Sequence, residues 1–147
     1  MKNLFDDRDR SAIVDRIRNL GAENTRRWGK MTLPKALCHM GDQLGMALGE
    51  IQTKPIRTPV SRFPLKPIVV WVLPWPRGVQ TAPEMLRTDL AELDEARDRL
   101  IGLIERMVGR GIDAEWTPHA AFGPLSGKAW GRLAWRHLDH HLRQFGG

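Results

Sequence analysis

Two histidines near the C-terminus, His137 and His141, lie one helical turn apart within Trp135-Arg136-His137-Leu138-Asp139-His140-His141-Leu142-Arg143-Gln144-Phe145. At about 100° per residue, Trp130, Leu133, Ala134, Leu138, Leu142 and Phe145 gather on one side of a helix, with Arg132, Arg136, Asp139 and Arg143 on the other. His137 and His141 fall in the middle of the apolar side, so their rings point the same way. Two imidazoles facing a core need partners that satisfy their nitrogens without charging them. A metal ion is the partner that histidines at i and i+4 suit best. Asp139 belongs to the arginine side and reads as a surface charge.

A third histidine, His39, sits at the edge of another apolar stripe made by Leu33, Ala36, Leu37, Met40, Leu44, Ala47 and Leu48. Side chains from facing helices converge inside a bundle, which is a common place for a metal site. Three neutral histidines leave coordination positions open for water and substrate. The ion would lower the pKa of a bound water toward ~7 or polarise a substrate oxygen or sulfur. Imidazole suits zinc, nickel, iron and copper alike, so the ligands do not name the metal. Zinc or nickel is expected ahead of iron or manganese.

Ligating rings need acceptors for their second nitrogen. Gln43, four residues after His39, and Gln144, three after His141, are placed to supply them. His140 projects to the flank of the histidine face and would line the pocket. His119 lies in the loop before the last helix, where it would either roof the pocket and donate a proton or simply anchor the loop. Cys38 diverges from His39 by about 100° and reads as a small buried residue. The competing reading is a non-catalytic bundle, with a structural metal or polar core histidines, acting as a binding protein.

The elements that must position these residues are helices. Asp7 to Leu20 has Ile13, Val14, Ile17 and Leu20 at helical spacing, with Gly21 as its stop. Thr32 caps a second helix with Pro34 in its first turn, running to about Leu48. Gly41, Gly45 and Gly49, every fourth residue, suggest close helix packing. Glu50 to Gln80 carries prolines at 55, 59, 64, 67, 74 and 76 and admits no long helix. Within it, residues 68–73 have the composition of a short strand, and the whole connection reads as a crossover or a lid. Thr81-Ala82-Pro83-Glu84 is a capping box that starts a third helix, with Leu86, Leu90, Leu93, Leu100, Ile104 and Met107 inward, through roughly Val108. Ser126 caps the fourth. Four amphipathic helices with no second set of strands predict one all-α domain over residues 1–147, a four-helix bundle.

Composition narrows the function classes. The 147 residues are 41% hydrophobic and 27% charged, an ordinary globular balance. No apolar run reaches the ~18 residues of a membrane span. The acidic start, Met1-Lys2-Asn3-Leu4-Phe5-Asp6-Asp7, is unlike a signal peptide, and a single cysteine forms no internal disulfide. The cytoplasm is therefore the expected compartment. The net charge of +6 is dispersed among acids, without the dense basic tract that nucleic-acid binding favours. No phosphate loop, nucleophile elbow or CxxC is present. A homodimer is left open.

Several segments together resemble the DinB/YfiT-like superfamily. They are Trp28-Gly29-Lys30-Met31-Thr32, Leu37-Cys38-His39-Met40, His119 with Phe122-Gly123 and Leu125-Ser126, and His137 through Phe145. The last looks most like a branch ending in an HLDHHLRQFG pattern. The resemblance implies a bundle in up-down-down-up order, with its long second-to-third connection joining parallel helices. It implies a divalent metal held by His39, His137 and His141. Relatives include metal-dependent hydrolases and transferases that attach low-molecular-weight thiols, such as mycothiol or bacillithiol, to electrophiles. The expected partner is accordingly a small-molecule substrate.

Overall fold

The computed structural model describes residues 1–55, 86, 88–90 and 92–147. Among them are four helices and no strand: α1 (Asp7–Arg18), α2 (Leu33–Leu48), α3 (Leu93–Arg110) and α4 (Gly127–Gln144). The expected strand at 68–73, the capping box at 81–84, Trp71, Trp75 and most of the proline-rich connection lie outside the described residues.

Side-chain contacts fix the helix directions. Gly41 of α2 sits against Arg99 and Leu103 of α3, and the Leu48 carbonyl accepts from Arg110, so α2 and α3 run parallel. Leu4, just before α1, donates to the Gly131 carbonyl, and Arg16 meets Asp139, so α1 and α4 are parallel too. Arg97, early in α3, bonds the Leu20 carbonyl just past α1. Gln144, ending α4, reaches the Trp28 carbonyl ahead of α2. Those pairs are antiparallel, which gives up-down-down-up. Each of α1 and α2 packs on both α3 and α4, leaving α1 and α2 diagonal to one another.

The helix ends follow local chemistry with two exceptions. The Ser126 hydroxyl accepts from the Ala129 N–H, a direct N-cap. Thr32 occupies the N-cap of α2 without a side-chain bond, and Gly49 closes that helix at φ +83°, a left-handed turn that a Cβ would strain. α1, however, ends at Arg18 with Asn19 as its cap, and Gly21 has no left-handed turn. Its N–H instead goes to the Asn24 side chain at 2.8 Å. α3 starts at Leu93, with Glu92 at the N-cap, and residues 88–90, expected to be helical, are not. The reason is tertiary. Lys35 Nζ takes the carbonyls of Leu86 and Thr88, and Asp42 takes the Thr88 N–H and hydroxyl, so groups that a helix would use are bonded to α2.

The core runs through all four helices. Ile13 and Ile17 of α1, Leu37, Met40 and Leu44 of α2, Leu100, Ile104 and Met107 of α3, and Trp130, Leu133, Leu138 and Leu142 of α4 are almost fully buried. Trp130 is the largest, and its indole N–H donates to the Thr117 carbonyl at 3.0 Å. Truncating such a tryptophan costs roughly 3–5 kcal/mol. That packing tethers the loop before α4 to the core. The glycine series of α2 divides its tasks: Gly41 admits α3, Gly45 admits the Ile51 side chain, and Gly49 turns the chain.

Candidate metal centre

Because α2 and α4 are antiparallel neighbours, a residue two turns into α2 comes level with residues one and two turns from the end of α4. His39, His137 and His141 are thereby brought together, and their candidate ligand nitrogens all lie within 4.8 Å of one another. His39 Nε2 is 2.9 Å from His137 Nε2. The three ring centroids are 4.7–4.9 Å apart, with interplanar angles of 79° to 85°. Three nearly perpendicular rings cannot stack, while their candidate ligand nitrogens lie close enough together to share an ion.

All three are buried, at 4%, 2% and 8% exposure. Burial, then the neighbouring histidines, hold His137 well below the usual imidazole range. Burial also pulls His141 down to about 3, followed by His39, while its bond to Gln144 acts in the opposite direction. At about 1.4 kcal/mol per unit, charging His141 is disfavoured by roughly 5 kcal/mol. Both rings are therefore neutral at pH 7, the form that binds metals. The donor set fits a divalent transition ion: three neutral nitrogens on two rigid helices, with nitrogens bound at about 2.0–2.1 Å expected to lie roughly 3.3 Å apart.

The surrounding residues divide by contact. Gln144 Oε1 lies 2.8 Å from His141 Nδ1, and Gln144 Nε2 donates to the Trp28 carbonyl at 2.7 Å. Gln43 is buried beside His39 on α2, but its Oε1 has no hydrogen-bond partner among the described residues. His140 is half-buried, its ring 5.0 Å from His141 and 5.9 Å from Trp28, outside the ligand group. His119 packs on Phe122 and Trp130, and its Nδ1 accepts from the N–H groups of Ala121 and Phe122 at 3.0 and 3.3 Å. It is close enough for its charge to bear on His137. Cys38 is buried, and the group formed around His39 does not include it. Asp139 is held by Arg16 and Arg143, as the helical wheel places it.

Two features escape the sequence reading. Asp42 is fully buried and pairs with Arg99 at 2.9 Å. Its signal was its type, the single acid of a mostly apolar helix, since buried carboxylates are almost always paired. The docking of the Arg27-Trp28-Gly29 turn onto α4 has no comparable signal. It is made by contacts between residues more than a hundred positions apart.

A family model described as a protein of unknown function (DUF1569) matches residues 4–146. No curated protein and no solved structure matches the chain. No helix among the described residues is long and apolar enough to cross a membrane.

Proposed function

We propose that this chain, which belongs to the DUF1569 family of proteins of unknown function, is a cytoplasmic metalloenzyme of the DinB/YfiT-like kind. His39, His137 and His141 would hold one divalent ion, zinc or nickel ahead of iron or manganese. The observation that carries this reading is the convergence of three buried histidines from two helices. A bound ion would supply a water or low-molecular-weight thiol made nucleophilic at neutral pH, for hydrolysis or thiol transfer onto a small electrophile. The chain's own contribution is to keep its ligands neutral and oriented. Gln144 holds His141, His140 flanks the ligand group, and His119, whose Nδ1 is engaged by its loop, would serve in proton transfer.

One observation favours a second reading. The 2.9 Å contact between His39 and His137 is also the separation of a hydrogen bond between two neutral rings, as in a polar core of a non-catalytic bundle. Metal content by mass spectrometry decides between the readings, on untagged wild type beside His137→Ala. About one equivalent of a transition metal, absent from the mutant, supports the metal site and justifies screens for thiol transfer and hydrolysis. No metal after incubation with zinc, nickel, manganese and iron(II) rules the enzyme out.

A further inference from the structure

The turn between α1 and α2 is attached to the last turn of α4 by two hydrogen bonds. The Arg27 N–H donates to the Gln144 carbonyl at 2.8 Å, and Gln144 Nε2 donates to the Trp28 carbonyl at 2.7 Å. A backbone carbonyl can only accept, so the end of the Gln144 amide facing Trp28 must be the NH₂. The end facing His141 is then the amide oxygen, which also can only accept. It lies 2.8 Å from His141 Nδ1, so that nitrogen carries the proton and Nε2 keeps its lone pair. Turning the amide over would set two oxygens 2.7 Å apart. Gln144 is 4% exposed, so bulk water cannot substitute for either partner.

Gly29 makes this arrangement possible. It adopts φ +81°, and a Cβ there would lie 2.3 Å from Gln144 Nε2. The position therefore needs glycine both for its backbone and for room beside the amide.

We infer that the Trp28–Gly29 turn is a positioning element for the histidine cluster, fixing through Gln144 the tautomer in which His141 offers Nε2 as its ligand atom. The tautomer is a property of the protein alone; its consequence for metal rests on the reading proposed above.

The test is a long-range ¹H–¹⁵N correlation spectrum of metal-free, ¹⁵N-histidine-labelled protein at pH 7.5, followed by zinc titration. Wild type should show His141 protonated on Nδ1. Gln144→Leu, which offers no acceptor, should move His141 toward the Nε2-protonated form and weaken zinc binding 10- to 100-fold. Gln144→Glu, whose carboxylate still accepts from Nδ1 but sets an oxygen against the Trp28 carbonyl, should keep the wild-type tautomer while losing the bond to the turn. Gly29→Ala should shift the tautomer in the same direction as Gln144→Leu, with unchanged helical circular dichroism. An Nε2-protonated His141 in wild type, or an unchanged tautomer in both Gln144→Leu and Gly29→Ala, overturns the inference. Should Gln144→Leu not fold, the wild-type and Gly29→Ala spectra decide. The expected tautomers without any zinc binding would uphold this inference while removing the metal reading. Wild-type zinc affinity with unchanged tautomers in the variants would do the reverse.

Discussion

His39 and His137, 98 residues apart in sequence, bring their Nε2 atoms within 2.9 Å across the α2–α4 interface. Two imidazole nitrogens at that separation either share a proton, one donating and the other accepting, or share a metal. The metal must displace that proton from between the rings. The rings are carried by helices whose apolar core is built from other residues, so the fold should not depend on the ion.

Metal should accordingly stabilise a fold that exists without it. Zinc at about 100 times its Kd adds about 2.7 kcal/mol, which for a chain of this size raises Tm by roughly 5–10 °C. Differential scanning fluorimetry should show this shift in wild type and in His140→Ala, whose ring lies outside the ligand group. It should vanish in His39→Ala, His137→Ala and His141→Ala. Equal shifts in wild type and all three ligand variants would place the zinc elsewhere.

Acid should weaken the metal-free protein earlier than carboxylate chemistry would. His137 and His141 both have folded pKa values below the ordinary 6.5, His141 at about 3. Above pH 6.5 both states hold these rings neutral, and stability is at its plateau. As pH falls below 6.5 the unfolded chain takes up protons that the folded chain refuses, and each group removes about 1.4 kcal/mol per pH unit. Between pH 7.5 and 5 His141 alone removes roughly 2 kcal/mol, or about 5 °C in Tm, and His137 adds to it in the same direction. His141→Phe should flatten the slope. A Tm constant over that interval would show that the rings can be charged in place.

The Asp42–Arg99 pair should be strongly coupled. Asp42 has no exposure, and it binds Arg99, the Thr88 N–H and the Thr88 hydroxyl, closing the segment before α3 onto α2. Removing one charge leaves the other uncompensated, so Asp42→Ala should cost about 3–5 kcal/mol in urea unfolding. Asp42→Leu with Arg99→Met should cost less than the sum of the single changes, by 0.5–3 kcal/mol. Strict additivity would mean that the guanidinium is satisfied by solvent alone.

How much of this was readable beforehand depends on the range of the interaction responsible. The stripe on α4 sorted its buried residues and its two histidines correctly, because one face of that helix meets the core and the other meets solvent. α2 runs from Leu33 to Leu48 with Thr32 at its N-cap, as Thr32 and Pro34 indicate, whereas Gly49, grouped with the packing glycines, closes the helix. His39 looked peripheral because a wheel assumes one buried face. Every residue from Ala36 to Ala47 is buried, so that helix has no outer side there for His39 to border. The helix expected to run on through Leu90 is interrupted there for a similar reason. Local propensity favoured helix through Leu86 and Leu90, while Lys35 and Asp42, some fifty residues earlier, hold that backbone in another form. The histidine triad was legible because its residue types are rare in a core. The Trp28–Gly29 contact was not, because a tryptophan beside a glycine in a loop has many uses.

His119 can be assigned to anchoring or to chemistry by exploiting its two nitrogens separately. Nδ1 accepts from Ala121 and Phe122 N–H groups, and the ring packs on Phe122 and Trp130, while its backbone exchanges both hydrogen bonds with Gly123. Asparagine places Oδ1 close to where Nδ1 sits but has nothing in the position of Nε2. His119→Ala leaves two N–H groups in a largely buried loop without their acceptor, at a cost of about 1–3 kcal/mol. His119→Asn should recover most of that stability. Once a reaction is identified, the same pair separates the roles. If His119→Asn is as stable as wild type yet loses 10²- to 10⁴-fold in kcat, the Nε2 proton takes part in the chemistry. If it keeps full activity while His119→Ala loses activity and stability together, the histidine serves the loop, and proton transfer must be assigned to another group near the cluster.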